Sequence, residues 1–278
     1  MQDPAYPSPK WWPRVPRTKP PKPIRGTILT VLGCGTSTGV PLLACRCATC
    51  RSKDPRNNRS RASVFVQAKG STFLIDTSPD LRLQCMRNKI FWVDAALFTH
   101  PHADHIHGLD DLRSLNFLMA KRIPCYGNSW LIESLQNKFD YIFKKTQIGG
   151  GKPMLDLHVL TRPKMIAGAK VIPLELIHGR MPVLGFRIND IAYITDCSYI
   201  PDRTFRYLKN LSVLVLDCLR PAQHETHLNV EASLAIAKRI AAKRTYLTHM
   251  GHELEYNAFK RSLPRGIVPA YDGLKIRA

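Results

Sequence analysis

Four side chains that can bind metal ions lie within six residues of one short segment of the sequence. His100, His102, Asp104 and His105 follow the apolar run 95–98, which predicts a strand that ends in a tight loop. The spacing His-x-His-x-Asp-His lets such a loop direct two imidazoles at one ion and leaves the aspartate and the last histidine for a second ion. The segment therefore predicts a metal site rather than a solvated polar turn.

Three other short apolar segments end on residues of the same kind, namely His178, Asp196 and His249. Strands that end at one rim of a sheet bring such residues together in space. Two neighbouring cations need an anion between them, and Asp196 is the candidate for that bridge. Nitrogen and oxygen donors without sulfur suit Zn or Mn. The predicted dinuclear site therefore has two sets of ligands around Asp196: His100, His102 and His178 for one ion, and Asp104, His105 and His249 for the other.

A second metal site is predicted from the cysteines. Cys45, Cys47 and Cys50 crowd into six residues, which is too close for sensible pairing with one another. A closed structural zinc site takes four ligands, and His252, three residues beyond His249, is the best candidate for the fourth. We therefore expect a zinc-binding Cys loop near residues 43–60, while the other five of the eight cysteines are expected to be small buried hydrophobes.

Composition limits the classes of protein to which the chain can belong. The 278 residues suffice for a large core, and no apolar run approaches the ~18–20 residues that span a bilayer. With no apolar leader, we expect a cytoplasmic location and no membrane partner. The formal net charge of +20 favours anionic partners such as phosphate esters or RNA. The oligomeric state stays open, a homodimer included.

The pattern of elements predicts one domain that is preceded by an N-terminal arm. Residues 1–25 form a basic, proline-rich N-terminal extension, and residues 26–278 form the domain. Strands are predicted at 27–32, 62–67, 72–75 and 95–99, and alternate with helices in an α/β chain. Helical spacing marks two of these helices, at 109–119 and at 230–241 with Asn229 as N-cap, and Asp272-Gly273 predicts a hairpin turn.

The ligand pattern resembles that of the metallo-β-lactamase superfamily. The similarity rests on the His-x-His-x-Asp-His segment followed by His178, Asp196 and His249, and it covers nearly all of the chain from residue 26 onward. It implies a four-layer αββα sandwich with the metal site at one edge of the facing sheets. It also implies that Asp76, in segment 74–77, braces the metal loop and does not bind metal.

The Cys loop narrows the resemblance to one family, the phosphoribosyl 1,2-cyclic phosphate phosphodiesterases of the carbon–phosphorus lyase pathway. The turn 33–41, the segment 108–113 and the segment 248–256 are also similar. The resemblance implies that the chain opens a cyclic ribose phosphate or a similar small phosphodiester, with two divalent ions (Mn or Zn) and a separate structural zinc. These ions would activate water for attack on phosphorus.

The same resemblance implies a set of catalytic residues. His227 is expected to protonate the leaving oxygen, because histidine can supply a proton at cellular pH. Asp217, which follows the predicted strand 213–216, is expected to orient His227, and Asp104 completes the catalytic set. His224 remains an alternative to His227 as the acid. Arg82, Arg113 and Arg220 are candidates either for gripping a second phosphate or for surface ion pairs.

Other functions remain open at this stage, among them hydrolysis of thioesters or lactones, because a hydroxide between two metals also attacks carbonyl carbon. An RNA 3′-processing endonuclease of the same superfamily would explain the positive charge, although the sequence has no inserted arm of ~50 residues and that branch lacks the Cys loop. A non-catalytic, zinc-stabilised nucleic-acid-binding protein is the alternative outside the enzymes, and it would have no use for an acid such as His227. Retention of RNA without turnover would favour this last interpretation.

Overall fold

Fourteen strands form two seven-stranded sheets in the part of the chain that the computed structural model describes, residues 17–144 and 151–278. Apolar residues dominate these strands, and most of their side chains are buried. In chain order the strands are β1 (Thr27–Gly33), β2 (Ser63–Ala68), β3 (Ser71–Ile75), β4 (Ala95–Leu97), β5 (Ile123–Gly127), β6 (Leu155–Val159), β7 (Lys164–Ile166), β8 (Ala169–His178), β9 (Met181–Ile188), β10 (Ile191–Ile194), β11 (Val213–Asp217), β12 (Arg244–Thr248), β13 (Ile267–Pro269) and β14 (Lys275–Arg277).

The sheet order explains how distant parts of the chain reach one edge. The first sheet has the order β14-β1-β2-β3-β4-β5-β6 and the second the order β13-β12-β11-β10-β9-β8-β7. Strands β3 to β6 are parallel to one another, as are β10 to β13. Strand β8 runs in the same direction as β10, because both are antiparallel to β9. The predicted ligands therefore follow strands that point the same way within each sheet.

Helices cover the outer faces of both sheets. One apolar core lies between the sheets and extends to α7 and α8, and a second lies between the first sheet and α1 to α4. These layers confirm the predicted αββα sandwich. The helices are α1 (Leu81–Asn88), α2 (Ala103–Ile106), α3 (Leu112–Met119), α4 (Ser129–Lys138), α5 (Asp140–Phe143), α6 (Asp202–Phe205), α7 (Val230–Ile240) and α8 (Tyr256–Ser262), with 3₁₀ turns at Pro55–Asn57 and Leu109–Asp111.

Two predicted elements have slightly different ends in the structure. The helix predicted at 109–119 is a 3₁₀ turn followed by α3. The predicted N-cap of α7 is confirmed, because the Asn229 side chain accepts the N–H of Ala232. The strand predicted to continue to Thr99 ends at Leu97. The reason is a competing partner, since the backbone N–H of Thr99 donates to the Asp76 carboxylate at 2.8 Å instead of to a strand.

The hairpin predicted at Asp272-Gly273 is wrong. Strand β13 pairs with β12 in the second sheet, whereas β14 pairs with β1 in the first, so this turn crosses between the sheets. The Asp272 carboxylate accepts hydrogen bonds from the backbone N–H groups of Cys34 and Ser60 at 3.1 and 2.8 Å. Those contacts draw the chain to the end of β1, which a signal for a local turn does not reveal.

The predicted basic extension lies partly outside the described residues, which begin at Arg17. Its described end follows the surface of the domain, because the Thr18 N–H donates to the Leu118 carbonyl and the Thr18 hydroxyl to that of Phe91, both at 3.0 Å. The boundary between residues 25 and 26 stays a prediction. Within residues 17–144 and 151–278, no helix is long and apolar enough to cross a membrane.

Candidate metal centre

Three residues at the strand ends adopt a left-handed backbone that side chains rarely favour. Asp76, Asp196 and His249 have φ angles of 64°, 51° and 59°. Asp76 and His249 follow β3 and β12 directly, Asp196 is the second residue after β10, and all three are at most 2% exposed. Such conformations cost roughly 1–3 kcal/mol each and persist where surrounding contacts enforce them. These sharp corners turn three side chains into the same narrow space, which marks the edge as a functional site.

Asp76 holds the loop that carries four of the predicted ligands. Its two carboxylate oxygens accept the N–H and the hydroxyl of Thr99, both at 2.8 Å. Its Oδ2 also lies 2.8 Å from Nδ1 of His105. Since a carboxylate can only accept, this contact fixes the tautomer of His105 and leaves Nε2 facing the cleft. The geometry is that of the bracing role expected for Asp76.

His100, His102 and His178 form the first cluster of predicted ligands. One ring nitrogen from each lies within 4.8 Å of the others. Nδ1 of His178 donates to the Thr226 carbonyl at 2.7 Å, so its Nε2 is the nitrogen left with a lone pair. Burial lowers the pKa of His100, His102 and His178. The neutral imidazole that burial favours is the form that binds metal.

Asp104, His105, Asp196 and His249 form the second cluster, again with ligand atoms within 4.8 Å of one another. Asp196 faces both clusters. Its Oδ1 lies 3.3 Å from Nε2 of His105, and its Oδ2 lies 3.3 Å from Nε2 of His249 and 3.8 Å from Nε2 of His100. The carboxylate therefore occupies the position that a bridge between two cations requires.

The unpaired nitrogens of the two clusters fit divalent cations. Nε2 of His100, His105 and His249 is buried in each case and has no hydrogen-bond partner within the described residues. Buried polar atoms are almost always paired, so three orphaned acceptors around one carboxylate need an electrophile. Burial would raise the pKa of Asp196, but nearby imidazoles, led by that of His249, hold it well below its ordinary range. An anionic bridge surrounded by imidazole nitrogens is a donor set that suits Zn or Mn.

His227 lies at the rim of this cleft, beside both clusters. Its ring centre is 4.6 Å from that of His178 and 4.8 Å from that of His249, on which it stacks. Asp217 lies behind it, with Oδ2 3.4 Å from Nδ1 of His227 and Oδ1 3.7 Å from Nδ1 of His249. Asp217 thus faces the predicted acid and a predicted ligand with one oxygen each.

The three cysteines and His252 also come together, in a separate cluster. Nδ1 of His252 lies 3.3, 3.6 and 3.6 Å from the sulfurs of Cys45, Cys47 and Cys50. The Cys50 N–H donates to Cys47 Sγ and lowers the pKa of that thiol to about 6. Three thiols and one imidazole make a closed tetrahedral donor set, which fits zinc. One loop thus reaches both predicted metal sites through His249 and His252.

Known proteins share this fold. A profile of the Beta-lactamase superfamily domain matches residues 71–250. A crystal structure described as a new diphosphatase from the PhnP family is 43% identical, and the match covers 90% of this chain and 96% of that one with a TM-score of 0.84. The chain belongs to the metallo-β-lactamase superfamily. Within it, the chain is similar to the PhnP family.

Two other relatives show how widely this fold is used. An octanoyltransferase of Porphyromonas gingivalis is 34% identical over 250 residues, which cover 88% of this chain and 50% of that protein. The chain therefore spans about half the length of that relative. A ribonuclease Z of Borrelia duttonii is 21% identical over 304 aligned positions, which cover 81% of this chain and 93% of that enzyme. Members of the superfamily use divalent metals, and the two clusters around Asp196 offer a place for them.

Two histidines that the ligand pattern leaves out, His107 and His158, are exposed and contact Phe139 and Tyr126. Two arginines that the sequence offered for a second phosphate also have local partners. Arg82 lines a groove between α1 and α3, and Arg113 donates to the Gly151 carbonyl and lies 3.6 Å from Asp110. Both arginines therefore have neighbours outside the two metal clusters.

The sequence analysis missed two supporting contacts. The Thr226 carbonyl orients His178, and the Lys138 amine donates to the Pro101 carbonyl in the metal loop at 2.7 Å. Every residue has a backbone carbonyl, so the sequence does not show which carbonyl orients a ligand. Lys138 sits at the end of α4, where lysine is ordinary, so its type carried no signal either.

Proposed function

We propose that this hydrolase is a phosphodiesterase that opens a cyclic ribose phosphate or cleaves a similar small phosphodiester. The observation that carries the proposal is the shared position of Asp196 between two histidine-rich clusters, with His227 on their rim. Two divalent cations bound by these clusters would supply Lewis acidity for the phosphoryl group and activate water. The fold supports such chemistry. The 43% sequence identity to the PhnP-family diphosphatase supports a substrate in which the attacked atom is phosphorus.

The side chains of the cleft have separate roles in this proposal. Water forms a bond to phosphorus while the bond from phosphorus to the leaving oxygen breaks, and the leaving oxygen takes a proton from His227. Asp217, whose Oδ2 lies 3.4 Å from Nδ1 of His227, would orient that ring and stabilise its protonated form, as a carboxylate behind a catalytic imidazole does. Asp104, whose side chain is 10% exposed, is the acceptor proposed for the proton of the attacking water.

The leaving group tests the role of His227. A general acid matters most when the leaving oxygen is basic, so we expect His227→Ala to lose about 10²- to 10⁴-fold in kcat on a cyclic ribose phosphate. On bis-p-nitrophenyl phosphate, whose leaving group needs little protonation, the loss is expected to be much smaller. His158→Ala, an exposed histidine outside the cleft, is the matched control. Equal losses on both substrates, or no loss on either, would remove His227 from the mechanism.

RNA 3′ processing is the second candidate function. Its support is the alignment with ribonuclease Z over 81% of this chain and the formal net charge of +20. Activity on a panel of cyclic phosphates, diphosphate esters and a transfer-RNA precursor distinguishes the two functions. Each substrate is assayed at two salt concentrations, because RNA affinity falls steeply with salt. We expect turnover of the small substrates. Precursor cleavage without small-substrate turnover would favour the nuclease, and salt-sensitive RNA retention without any cleavage would favour a binding protein.

We also propose a structural zinc, separate from two catalytic ions of Mn or Zn. It would be held by Cys45, Cys47, Cys50 and His252. Its support is the four-donor group, whose ligand atoms all lie within 4.8 Å of one another. Elemental analysis of the purified protein is expected to give about three metal ions per chain, two of them more exchangeable than the third. One ion per chain or none would contradict both metal assignments.

A further inference from the structure

A cavity of about 300 Å³ lies on the outer face of the first sheet. Phe65 of β2, which belongs to the core between that sheet and its helices, lines the cavity together with the segment 88–92, and the N-terminal arm forms one wall through Thr18. None of the lining residues belongs to a metal cluster. Trp92 precedes β4 and His100 follows it, so the cavity and the metal loop lie at opposite ends of that strand.

Three lysines line this cavity, and no acidic residue of the described ranges does so. Lys19 comes from the arm, Lys89 is the C-cap of α1, and Lys275 begins β14. All three are exposed, and none forms an ion pair or a side-chain hydrogen bond with another described residue. Ammonium groups around one cavity repel each other, so the arrangement favours an anion between them.

The wall that the arm contributes is fixed to the domain. The Thr18 N–H and hydroxyl donate to the carbonyls of Leu118 and Phe91, both at 3.0 Å. Beyond the cavity, the arm continues the positive surface, because all of its described cations are exposed and have no ion-pair partner among the described residues. These cations are Arg17, Lys19, Lys22 and Arg25.

Phe91 gives the cavity an aromatic ring that is 46% exposed. The neighbouring Trp92 is held in place, because its Nε1–H donates to Asp94 at 2.9 Å and Nζ of Lys121 lies 5.8 Å from its ring centre. Bases stack on exposed aromatic rings, and phosphates pair with cations beside them. The combination of ammonium groups and a ring therefore suits a nucleotide unit.

We infer that this cavity and the arm beside it bind single-stranded nucleic acid, with phosphates on the three lysines and a base on Phe91. The exposed cations from Arg17 to Arg25 favour a strand over a free nucleotide, because a strand follows a charged surface beyond one cavity. Such binding depends on the backbone and on stacking and carries little sequence preference. The inference is independent of the proposed function, since it holds whichever phosphodiester the metal centre cleaves.

An anionic membrane is the other surface that cations and an aromatic ring serve. Membrane-binding segments insert apolar side chains into the lipid boundary. Phe91 instead lines a cavity together with the side chains of Gln67 and Asn88. Amides of this kind form hydrogen bonds with the edges of unpaired bases. The lining therefore favours a strand over a lipid surface.

Fluorescence anisotropy of a labelled thymidine octamer tests the site. We expect the combined variant Lys19→Gln, Lys89→Gln and Lys275→Gln to bind the octamer about 10- to 100-fold more weakly at low salt. Its affinity should also depend less on salt, because fewer phosphate contacts release fewer counterions. Phe91→Leu keeps an apolar side chain but loses the ring, so we expect about tenfold weaker binding with an unchanged salt dependence.

A second triple variant is the matched control. Lys238→Gln, Lys243→Gln and Arg265→Gln remove the same charge from a cavity between α7 and β13, whose described lining has no aromatic ring. We expect octamer affinity to change less than about twofold in this control. All six substituted side chains are exposed, and thermal unfolding verifies that both variants fold.

Three results would overturn the site. Equal losses in the two triple variants would mean that net charge alone attracts the strand. Unchanged octamer affinity in Phe91→Leu would remove the stacking ring. Binding to phosphatidylglycerol vesicles but not to the octamer, or binding of AMP as tight as that of the octamer, would replace the strand with another ligand. Because turnover does not enter these measurements, failure here leaves the proposed function untouched.

Discussion

The Asp76 carboxylate lies 2.8 Å from Nδ1 of His105, and both side chains are completely buried. The same carboxylate accepts two hydrogen bonds from Thr99, so a single side chain ties the end of β4 to the helical turn that contains Asp104 and His105. Asp76 does so from a left-handed backbone conformation. A residue that follows the neighbouring strand β3 therefore helps to position the candidate metal loop.

Replacing Asp76 by asparagine is expected to weaken metal binding. An amide cannot accept from His105 and Thr99 in the same way, and loss of such supporting contacts typically costs 10- to 100-fold in metal affinity or activity. Competition with a chromophoric chelator measures the affinity. Asp94→Asn is the control, because Asp94 makes similar contacts to Thr72 at the far end of the same strand pair. Equal effects of the two substitutions would show that Asp76 acts only on stability.

Replacing Cys47 by serine is expected to destabilise the protein before it affects chemistry. A structural zinc binds only the folded chain, so its binding free energy stabilises the fold. Loss of one thiolate should therefore lower the free energy of unfolding by several kcal/mol. The variant should keep about two of three metal ions and, when folded, a nearly normal kcat. Cys85→Ser, a half-buried thiol outside the cluster, is the control. Normal stability with lost activity would reverse the structural assignment of this site.

Asp272→Asn is expected to lower the free energy of unfolding by about 1–3 kcal/mol, because buried donors would lose their acceptor. The Asp272 carboxylate accepts from the N–H groups of Cys34 and Ser60 and from the Ser60 hydroxyl. Urea denaturation measures the difference. Asp202→Asn removes an exposed ion pair with Arg239 and should change stability by less than ~0.5 kcal/mol. Similar effects of the two substitutions would mean that the link between the sheets adds little.

The pair formed by Asp54 and Arg56 predicts a loss of stability in acid. Hydrogen bonds from Arg56 lower the pKa of Asp54 from 3.8 to about 2. Because the folded-state pKa lies below the unfolded one, the stabilisation is complete above pH ~4 and disappears as the pH falls toward 2.

The measurement is the difference in free energy of unfolding between the wild type and Asp54→Asn at several pH values. We expect this difference to be constant from pH 7 to 5 and to shrink below pH 4. Acid releases metal from both proteins, so the comparison isolates Asp54. A difference that stays constant down to pH 2.5 would show that the contact with Arg56 does not stabilise the fold.

The sequence by itself determined which chemistry the chain can carry. The types and spacing of the residues from His100 to His105 predicted metal ligands, and the apolar segments before His178, Asp196 and His249 predicted strand ends. Both are local properties, because a short apolar run with metal-binding residues at its end can be recognised without knowing which strand it pairs with. The αββα fold that the superfamily resemblance implied is confirmed.

Only the tertiary structure decided how these pieces meet. It placed Asp196 between two clusters, set Asp217 against both His227 and His249, and turned Asp272 from an expected hairpin into a link between the sheets. The physical reason is that each of these contacts joins residues on different strands or loops. Their distances follow from the packing of two whole sheets, which no local spacing encodes.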